Sequence, residues 1–207
     1  MAARKGVLLV ISAPSGTGKS TLVRELLARM DDVEFSVSFT TRKKREGEQD
    51  GRDYHFIDRD RFDAMIGAGE FLEWADVFKE RYGTGRSVSL ERLAAGRDLI
   101  LDIDIQGGRQ VRASGIDAVS VFLLPPNFST LKSRLLGRGS DSEEQVATRL
   151  SMARSEAEEV KYYDYVVVND ELESAVRQLT TILLSERLRV SRRGPETEEV
   201  LSTFPAE

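Results

Sequence analysis

The sequence predicts a three-layer α/β fold with a parallel central sheet, an inserted mixed α/β sub-domain and a helical lid. Continuous apolar runs at residues 6–12, 99–103, 118–124 and 165–168 have the length and texture of strands that are buried on both faces. Segments with apolar residues at helical spacing follow the first, third and fourth of these runs. Strands that alternate with helices in this way predict right-handed crossovers, with a layer of helices on each face of the sheet.

The composition is that of an ordinary globular protein. The chain has 207 residues, of which 40% are hydrophobic and 31% charged, so one core with inserted sub-domains is expected. The absence of cysteine excludes disulfides and thiol nucleophiles, and the single histidine, His55, excludes a multi-histidine metal site. A net charge of −5 argues against a nucleic-acid coat, and no apolar run is long enough for a membrane span or signal peptide. We therefore expect a cytoplasmic protein that binds neither nucleic acid nor membranes.

A small, glycine-rich loop and a helix expected over residues 21–30 follow the first strand. Residues 13–21 read A-P-S-G-T-G-K-S-T and match the phosphate-binding pattern G-x-x-x-x-G-K-[ST], except that Ala13 replaces the first glycine. Glycines let backbone N–H groups turn toward phosphate oxygens, Lys19 supplies a positive charge, and the following helix points its positive end at the anion. The alternative is a glycine-rich turn without a ligand, but the buried strand before it and the helix after it favour a nucleotide site. The residues predicted to bind ATP in this loop are Ala13, Pro14, Ser15, Gly16, Thr17, Gly18, Lys19, Ser20 and Thr21.

A magnesium site is expected beside this loop. The Ser20 hydroxyl can ligate Mg²⁺. Asp102 ends the apolar run of residues 99–101, at the point where enzymes with such a loop hold Mg²⁺ directly or through water. The alternative for Asp102 is an aspartate that only terminates a strand. Asp104 follows two residues later.

The texture of the sequence changes between residues 35 and 97, where short strands and short helices predict an inserted sub-domain. The segments expected to form strands are residues 35–39, 54–57 and 71–77. Asp58 is expected to cap a helix that Gly69 ends, and Ser87 to cap another that Gly96 ends. A charged loop between the first two strands contains Arg42 and Arg45 on either side of two lysines. This cluster suits a second phosphate group, and its alternative is a solvated basic loop.

The rest of the chain completes the core and adds a lid. Asn127 is expected to cap a helix that runs through residue 136. Residues 137–159 are polar and charged with few apolar positions, which predicts a mobile helical lid. A long covering helix is expected over residues 172–188, and residues 191–207 lack periodicity and are expected to form a loose, flexible tail. The core would then comprise residues 1–34, 98–136 and 160–190.

Six segments resemble, in order and spacing, the motifs of the guanylate kinase family. They read APSGTGKST, SVSFTTRKKREGEQDGRDYHFI, GEFLEWADVFKERYGTG, LILDIDIQGG, LLGRGSD and VVVND. The resemblance covers residues 6–188 and departs from the family at Lys44, where the family usually has proline. It implies a P-loop kinase fold with a GMP-binding sub-domain at residues 35–97.

The resemblance also implies roles for particular residues. Those implied to hold the GMP phosphate are Arg42, Arg45, Tyr54 and Tyr82. Those implied to surround the guanine are Ser38, Glu73, Thr84 and Asp104. Those implied to be catalytic, by neutralising charge on the transferring phosphoryl group, are Lys19, Arg42, Arg138 and Arg149. Asn169 is implied to lie near the adenine of ATP.

The chemistry of guanine supports Glu73 independently of the family. Guanine presents N1–H and N2–H₂ as adjacent donors, and one carboxylate accepts both. Adenine has an acceptor at N1 and would leave the carboxylate unpaired, so a large discrimination is expected.

The function that the resemblance implies is reversible, Mg²⁺-dependent transfer of the ATP γ-phosphoryl group to GMP and dGMP, giving ADP and GDP. Its partners would be these nucleotides, and a homo-oligomer is left open. One alternative is a peptide-binding module of scaffolding proteins, which is expected to lack the loop lysine that this chain has at Lys19. Another is a kinase for a different small acceptor, against which Glu73, Ser38 and Thr84 argue.

Overall fold

A five-stranded parallel sheet forms the centre of the protein in the computed structural model, which describes residues 4–77, 79–137 and 143–205. In chain order the elements are β1 (Leu8–Ser12), α1 (Lys19–Arg29), β2 (Val33–Phe35), β3 (Phe39–Thr40), β4 (His55–Phe56), α2 (Arg59–Gly67), β5 (Phe71–Val77), β6 (Glu80–Gly85), α3 (Arg86–Ala94), β7 (Asp98–Asp102), α4 (Ile105–Ala113), β8 (Ala118–Leu124), α5 (Phe128–Leu136), α6 (Glu143–Ala157), a 3-10 helix (Glu158–Tyr162), β9 (Tyr165–Val168), α7 (Leu172–Arg187) and α8 (Gly194–Leu201).

The strands of the central sheet lie in the order β2-β7-β1-β8-β9. Leu9 of β1 lies opposite Ile100 of β7 and Val119 of β8. Because β1 is apolar throughout, it is buried on both faces: α1 and α7 pack on one side, and α3 and α4 pack on the other. The predicted three-layer α/β class is therefore confirmed.

A second, mixed sheet of four strands, in the order β4-β3-β6-β5, forms the inserted part of the fold. Strands β5 and β6 form an antiparallel hairpin, and β5 is an edge strand. Helix α2 covers this sheet by packing Phe62 and Met65 against Phe71. The Asp58 carboxylate accepts a hydrogen bond from the N–H of Arg61, which is the expected N-cap.

Two local predictions in this region were wrong, and one strand was missed. Residue 35, placed by the sequence in the sub-domain, ends β2 and pairs with Ile100 in the central sheet. Strand β6 was not predicted, because its sequence ERYGTG is polar and contains two glycines. Ser87 does not cap α3, because the hairpin strand β6 runs through Gly85 directly into that helix.

Helix α4 was also not predicted, because its sequence IQGGRQVRA contains two adjacent glycines, which lower helix propensity. The Asp104 carboxylate caps the helix by accepting a hydrogen bond from the N–H of Gly107 at 2.7 Å. This places Asp104 at the start of a helix that packs against β5, with 2 of its 9 residues glycine.

The tail differs from the expectation of a segment without regular structure. The Arg192 side chain is 0% exposed and donates to the carbonyl oxygen of Gly6 at 3.2 Å and to Asp117 at 2.9 Å. Helix α8 follows it. The sequence did not indicate this anchoring because a buried arginine leaves no mark in a hydrophobic pattern.

Within the segment predicted to be the lid, residues 137–159, helix α6 packs on α5 through Leu131, Leu135, Val146 and Ala153. Residues 138–142 of that segment lie outside the described residues, and its role as a lid stays a prediction. In the part of the chain that the structure describes, none of the helices has both the length and the apolar character that crossing a membrane requires.

Candidate active site

The loop between β1 and α1 has a backbone that only glycine adopts without strain. Gly16 and Gly18 have φ values of 89° and 93°. A Cβ atom on Gly18 would also lie 2.8 Å from the amide nitrogen of Asn169, and one on Gly16 would lie 2.8 Å from Leu135. Inside the loop, the Thr17 hydroxyl donates to the carbonyl oxygen of Pro14 at 2.7 Å. The loop is therefore held in one conformation from within.

The side chains of Asn169 and Arg134 bind the backbone of the loop at Thr17. The Asn169 amide nitrogen donates to the carbonyl oxygen of Thr17 at 2.8 Å. The Arg134 guanidinium donates to the same oxygen at 3.1 Å and to the carbonyl oxygen of Asn169 at 3.0 Å. Arg134 is not among the residues predicted from the sequence, although it lies near the end of α5, four positions before Arg138. Asn169 is buried in this structure, and its contact is with the loop.

The Lys19 amine lies at the carboxyl end of the neighbouring strand, β7. Its Nζ atom is 2.6 Å from an Asp102 carboxylate oxygen and 2.6 Å from the carbonyl oxygen of Ile103. The side chains of Lys19 and Asp102 are 18% and 17% exposed. The predicted loop lysine and the predicted magnesium ligand are therefore direct neighbours, although 83 positions separate them in the sequence.

A cleft of about 730 Å³ lies between the loop and α6. Residues 13–20 line one wall, and Arg149 and Glu156 of α6 contribute to the other. Across the cleft, the Arg149 guanidinium donates to the Ser15 hydroxyl at 3.1 Å. Glu156 is partly buried in the same wall, which raises its pKa. Thr21 is exposed on α1 and does not line this cleft. Arg138, predicted to be catalytic, lies outside the described residues.

A second cleft, of about 320 Å³, lies between the two sheets. The predicted site residues that line it are Ser20, Ser38, Tyr54, Glu73, Tyr82, Asp102 and Asp104. The Tyr54 and Tyr82 rings meet edge to face, with centroids 5.8 Å apart. Ser20 and Asp104 line both clefts, so the two clefts meet beside the end of the loop.

Glu73 is a buried carboxylate, 5% exposed, in the wall of the second cleft. The hydroxyl of Thr84, which faces it across the β5–β6 hairpin, donates to its Oε1 atom at 2.6 Å. Burial raises the pKa of Glu73 to about 7, and the charge of Asp104 adds to the rise. The hydrogen bond from Thr84 and the charge of Lys19 act in the opposite direction. Near neutral pH this carboxyl group therefore exists in both protonation states.

The two arginines of the basic loop have different surroundings. The Arg42 guanidinium makes a paired hydrogen bond with Glu48, at 2.7 and 3.1 Å, and lies 5.2 Å from the centre of the Tyr54 ring. The bond to Glu48 raises the pKa of Arg42 above its usual range. The Arg45 side chain is exposed, while its backbone N–H donates to Glu48 at 2.8 Å. Neither arginine is part of the wall of the second cleft. The sequence analysis missed Glu48, although a carboxylate inside a basic loop is a recognisable signal.

The residues predicted to hold Mg²⁺ offer oxygen ligands of the type that this ion prefers. The Ser20 hydroxyl and the Asp102 carboxylate both line the second cleft. Among the described ranges, no three acidic, cysteine or histidine side chains lie close enough to hold a metal ion. This donor set fits an ion that takes one or two protein ligands and completes its shell with water and phosphate oxygens.

Comparisons with known proteins agree on one family. A family model described as guanylate kinase matches residues 5–186. The guanylate kinase of Rhodopseudomonas palustris is 49% identical over 191 residues, covering 92% of this chain and 87% of that protein. The guanylate kinase of Geobacter sulfurreducens is 46% identical over 199 residues, covering 96% and 98%. The crystal structure of guanylate kinase from Anaplasma phagocytophilum is similar, with a TM-score of 0.78 and 33% identity over 99% of this chain and 98% of that one. The chain belongs to the guanylate kinase family.

Proposed function

We propose that this protein catalyses the reversible, Mg²⁺-dependent transfer of the γ-phosphoryl group of ATP to GMP or dGMP, giving ADP and GDP or dGDP. Membership of the guanylate kinase family supports a nucleoside monophosphate kinase that uses ATP and GMP. One observation carries the proposal: two clefts meet at Ser20 and Asp104. The first is lined by the loop of residues 13–20, and the second contains the buried carboxylate of Glu73. We place the reaction in the cytoplasm, as the sequence predicts.

ATP takes the larger cleft in this proposal. Its β- and γ-phosphates lie in the loop of residues 13–20, where the helix α1 and the Lys19 amine supply positive charge. Lys19 exchanges its contacts with Asp102 and Ile103 for phosphate oxygens when the nucleotide binds. Arg149, already beside Ser15, faces the same phosphates.

GMP takes the smaller cleft. Glu73 accepts hydrogen bonds from N1–H and N2–H₂ of guanine, while the Thr84 hydroxyl keeps its hydrogen bond to the Oε1 atom of the same carboxylate. Ser38 and Asp104 lie at the same wall for further polar contacts with the base. The phosphate lies at the Tyr54 and Tyr82 hydroxyls, and Arg42 and Arg45 approach it when the basic loop moves inward. None of these groups is assigned to the ribose 2′-hydroxyl, so dGMP is included as an acceptor.

The transfer step needs charge neutralisation more than a base. A phosphate oxygen of GMP forms a bond to the γ-phosphorus, and the bond from that phosphorus to the bridging oxygen breaks, so that ADP leaves with the electron pair. The acceptor phosphate has lost most of its second proton at neutral pH, since its pKa is about 6. Lys19, Arg42 and Arg149, together with Arg138, neutralise the charge that spreads over the transferring group. His55 stacks on Phe39, with ring centroids 4.7 Å apart, and takes no part.

Ser20 and Asp102 would hold Mg²⁺ on the phosphates, directly or through water. When bound, the ion would supply further positive charge to the β- and γ-phosphate oxygens. The two clefts must also close over the substrates, because water in the site would hydrolyse ATP.

Product formation tests the proposal directly. The assay mixes purified protein and Mg-ATP with one acceptor at a time (GMP, dGMP, AMP, CMP or UMP) and resolves the products by chromatography. With GMP or dGMP we expect equal amounts of ADP and of the matching nucleoside diphosphate. GMP and dGMP should exceed AMP by at least about a hundredfold in kcat/KM. Omission of Mg²⁺ should abolish turnover. ATP binding without transfer to any of them would favour another small acceptor, and the absence of both would favour a peptide-binding module.

The pH dependence of the reaction should reveal Glu73. The value of kcat/KM for GMP is expected to rise as the pH increases through about 7, because only the ionised carboxylate accepts both guanine N–H groups. The Glu73→Gln variant is the control: it should lack this step and retain only the ionisation of the GMP phosphate near pH 6. Identical profiles for the two proteins would contradict the role of Glu73.

A further inference from the structure

Helix α4 of the core contacts the free edge of β5, beside Glu73. The Gln110 side chain makes two hydrogen bonds with the backbone of Trp74: its oxygen accepts from the Trp74 N–H at 3.0 Å, and its nitrogen donates to the Trp74 carbonyl at 2.5 Å. Because β5 is an edge strand, these backbone groups have no strand partner on that side. The Gln110 side-chain amide therefore makes the two backbone hydrogen bonds that a neighbouring strand would make, and it fixes Trp74, the residue that follows Glu73.

Gly107 of the same helix lies against the Glu73 carboxylate. A Cβ atom on Gly107 would lie 2.6 Å from the Glu73 Oε2 atom and 3.3 Å from its Cδ atom. The φ angle of Gly107 is an ordinary one, so a side chain there would be opposed by lack of space and not by backbone conformation, and the Glu73 carboxylate is the group that would have to shift. The Gly107 N–H is used to cap the helix, by donating to Asp104.

The contacts of Glu73 therefore come from two parts of the fold. Thr84, from the second sheet, holds the Oε1 atom, while the bare backbone of Gly107, from the core, limits the position of the Oε2 atom. Gln110 holds the strand that carries Glu73 against the core. The position of α4 therefore bears on the position of the Glu73 carboxylate in the cleft.

We propose that Gly107 and Gln110 are positioning residues for Glu73, and that their packing against β5 sets the selectivity of the site for guanine. The inference rests on the proposed function, in which Glu73 accepts the N1–H and N2–H₂ groups of guanine. A displacement of the carboxylate by about 1 Å breaks this pair of hydrogen bonds and costs up to about a hundredfold in rate.

A double-mutant cycle tests the inference. The variants Gly107→Ala, Gln110→Met, Glu73→Ala and the two combinations with Glu73→Ala are assayed with GMP and with inosine monophosphate, which lacks the 2-amino group. Gly107→Ala and Gln110→Met should each lower kcat/KM for GMP by about tenfold or more, mainly through the KM for GMP, and change the KM for ATP less than about twofold. The preference for GMP over inosine monophosphate should fall in parallel.

In the Glu73→Ala background the same substitutions should have almost no effect on kcat/KM for GMP, because the carboxylate that they displace is absent. Additive effects in that background, or an unchanged preference for GMP, would overturn the inference. If the Gly107→Ala protein does not fold, the cycle of Gln110→Met with Glu73→Ala tests the inference by the same criteria. A Glu73→Ala protein with unchanged preference would instead refute the proposed role of Glu73, so the two failures are distinguishable.

Gly108→Ala is the matched control. It adds a methyl group to the next residue of α4, where the Cβ atom would lie 2.5 Å from the Tyr163 hydroxyl and not against Glu73. It is expected to keep the preference for GMP over inosine monophosphate, whatever its effect on stability. A loss of preference equal to that of Gly107→Ala would overturn the inference, since disturbance of α4 alone would then be sufficient.

Discussion

Replacing Lys19 by methionine is expected to lower kcat for phosphoryl transfer by about a thousandfold or more while the fold is retained. Methionine keeps most of the side-chain volume but removes the positive charge from the end of the phosphate-binding loop. In the proposed reaction, charge that develops on the transferring group would then lose the cation that Lys19 supplies, and losses of this size follow the removal of such groups. Lys19 is on helix α1, and its amine contacts the Asp102 carboxylate and the carbonyl oxygen of Ile103, so the substitution removes polar contacts and takes no apolar side chain out of the core around β1.

The measurement is single-turnover transfer from Mg-ATP to GMP, with thermal unfolding as the check on folding. Lys132→Met, on the exposed face of α5, is the matched control and should retain full activity. Full activity of the Lys19→Met protein would show that the loop does not hold the transferred phosphate.

Glu73→Gln is expected to reduce the preference for GMP over AMP by about a hundredfold or more. The substitution keeps the shape of the side chain, so the packing of β5 is preserved. The amide cannot accept from N1–H and N2–H₂ together, because its nitrogen can only donate. The same amide offers adenine a donor that a carboxylate lacks, so kcat/KM for AMP should rise while kcat/KM for GMP falls.

The dependence of stability on pH should show that Glu73 is buried as a carboxyl group with a raised pKa. Because burial raises the pKa of Glu73 from 4.5 to about 7, the free energy of unfolding of the native protein should fall as the pH rises through that interval. The Glu73→Gln protein should lack this fall and be at least as stable as the native protein at pH 8. Kinetics with GMP and AMP, combined with thermal unfolding at pH 5 and pH 8, measure both effects.

Glu70→Gln provides the control, since Glu70 is exposed just before β5 and pairs with Arg61. It should alter neither the nucleotide preference nor the pH dependence of stability. A Glu73→Gln protein that still prefers GMP as strongly as the native protein would exclude Glu73 from the base site.

The loop of residues 13–20 was predictable because its signals are local. A buried apolar strand, small residues, a lysine and a helix follow one another within about 25 positions of the sequence, and each acts through its own backbone or charge. The parallel central sheet also agrees with the predicted class, since continuous apolar runs are stable only when they are covered on both faces, whereas the order of its strands was not predicted.

The polar neighbours of the site were less accessible to prediction. Glu48 could have been recognised as a carboxylate inside a basic loop, although the pattern does not say which arginine it binds. Nothing in the pattern indicated that Arg134 donates to the carbonyl oxygen of Thr17. Helix α4 was missed because its two glycines disfavour a helix in isolation. Packing against β5 and the Asp104 cap outweigh that propensity.

The sequence by itself determined the α/β class, the glycine-rich loop after the first strand and the residue types that we propose for guanine and Mg²⁺, because these depend on neighbours within a few positions. The tertiary structure alone decided the pKa of Glu73, the Lys19–Asp102 contact and the burial of Arg192. Burial and electrostatic fields depend on groups that meet in space from distant parts of the chain, and the pattern of residues along one segment carries no record of them.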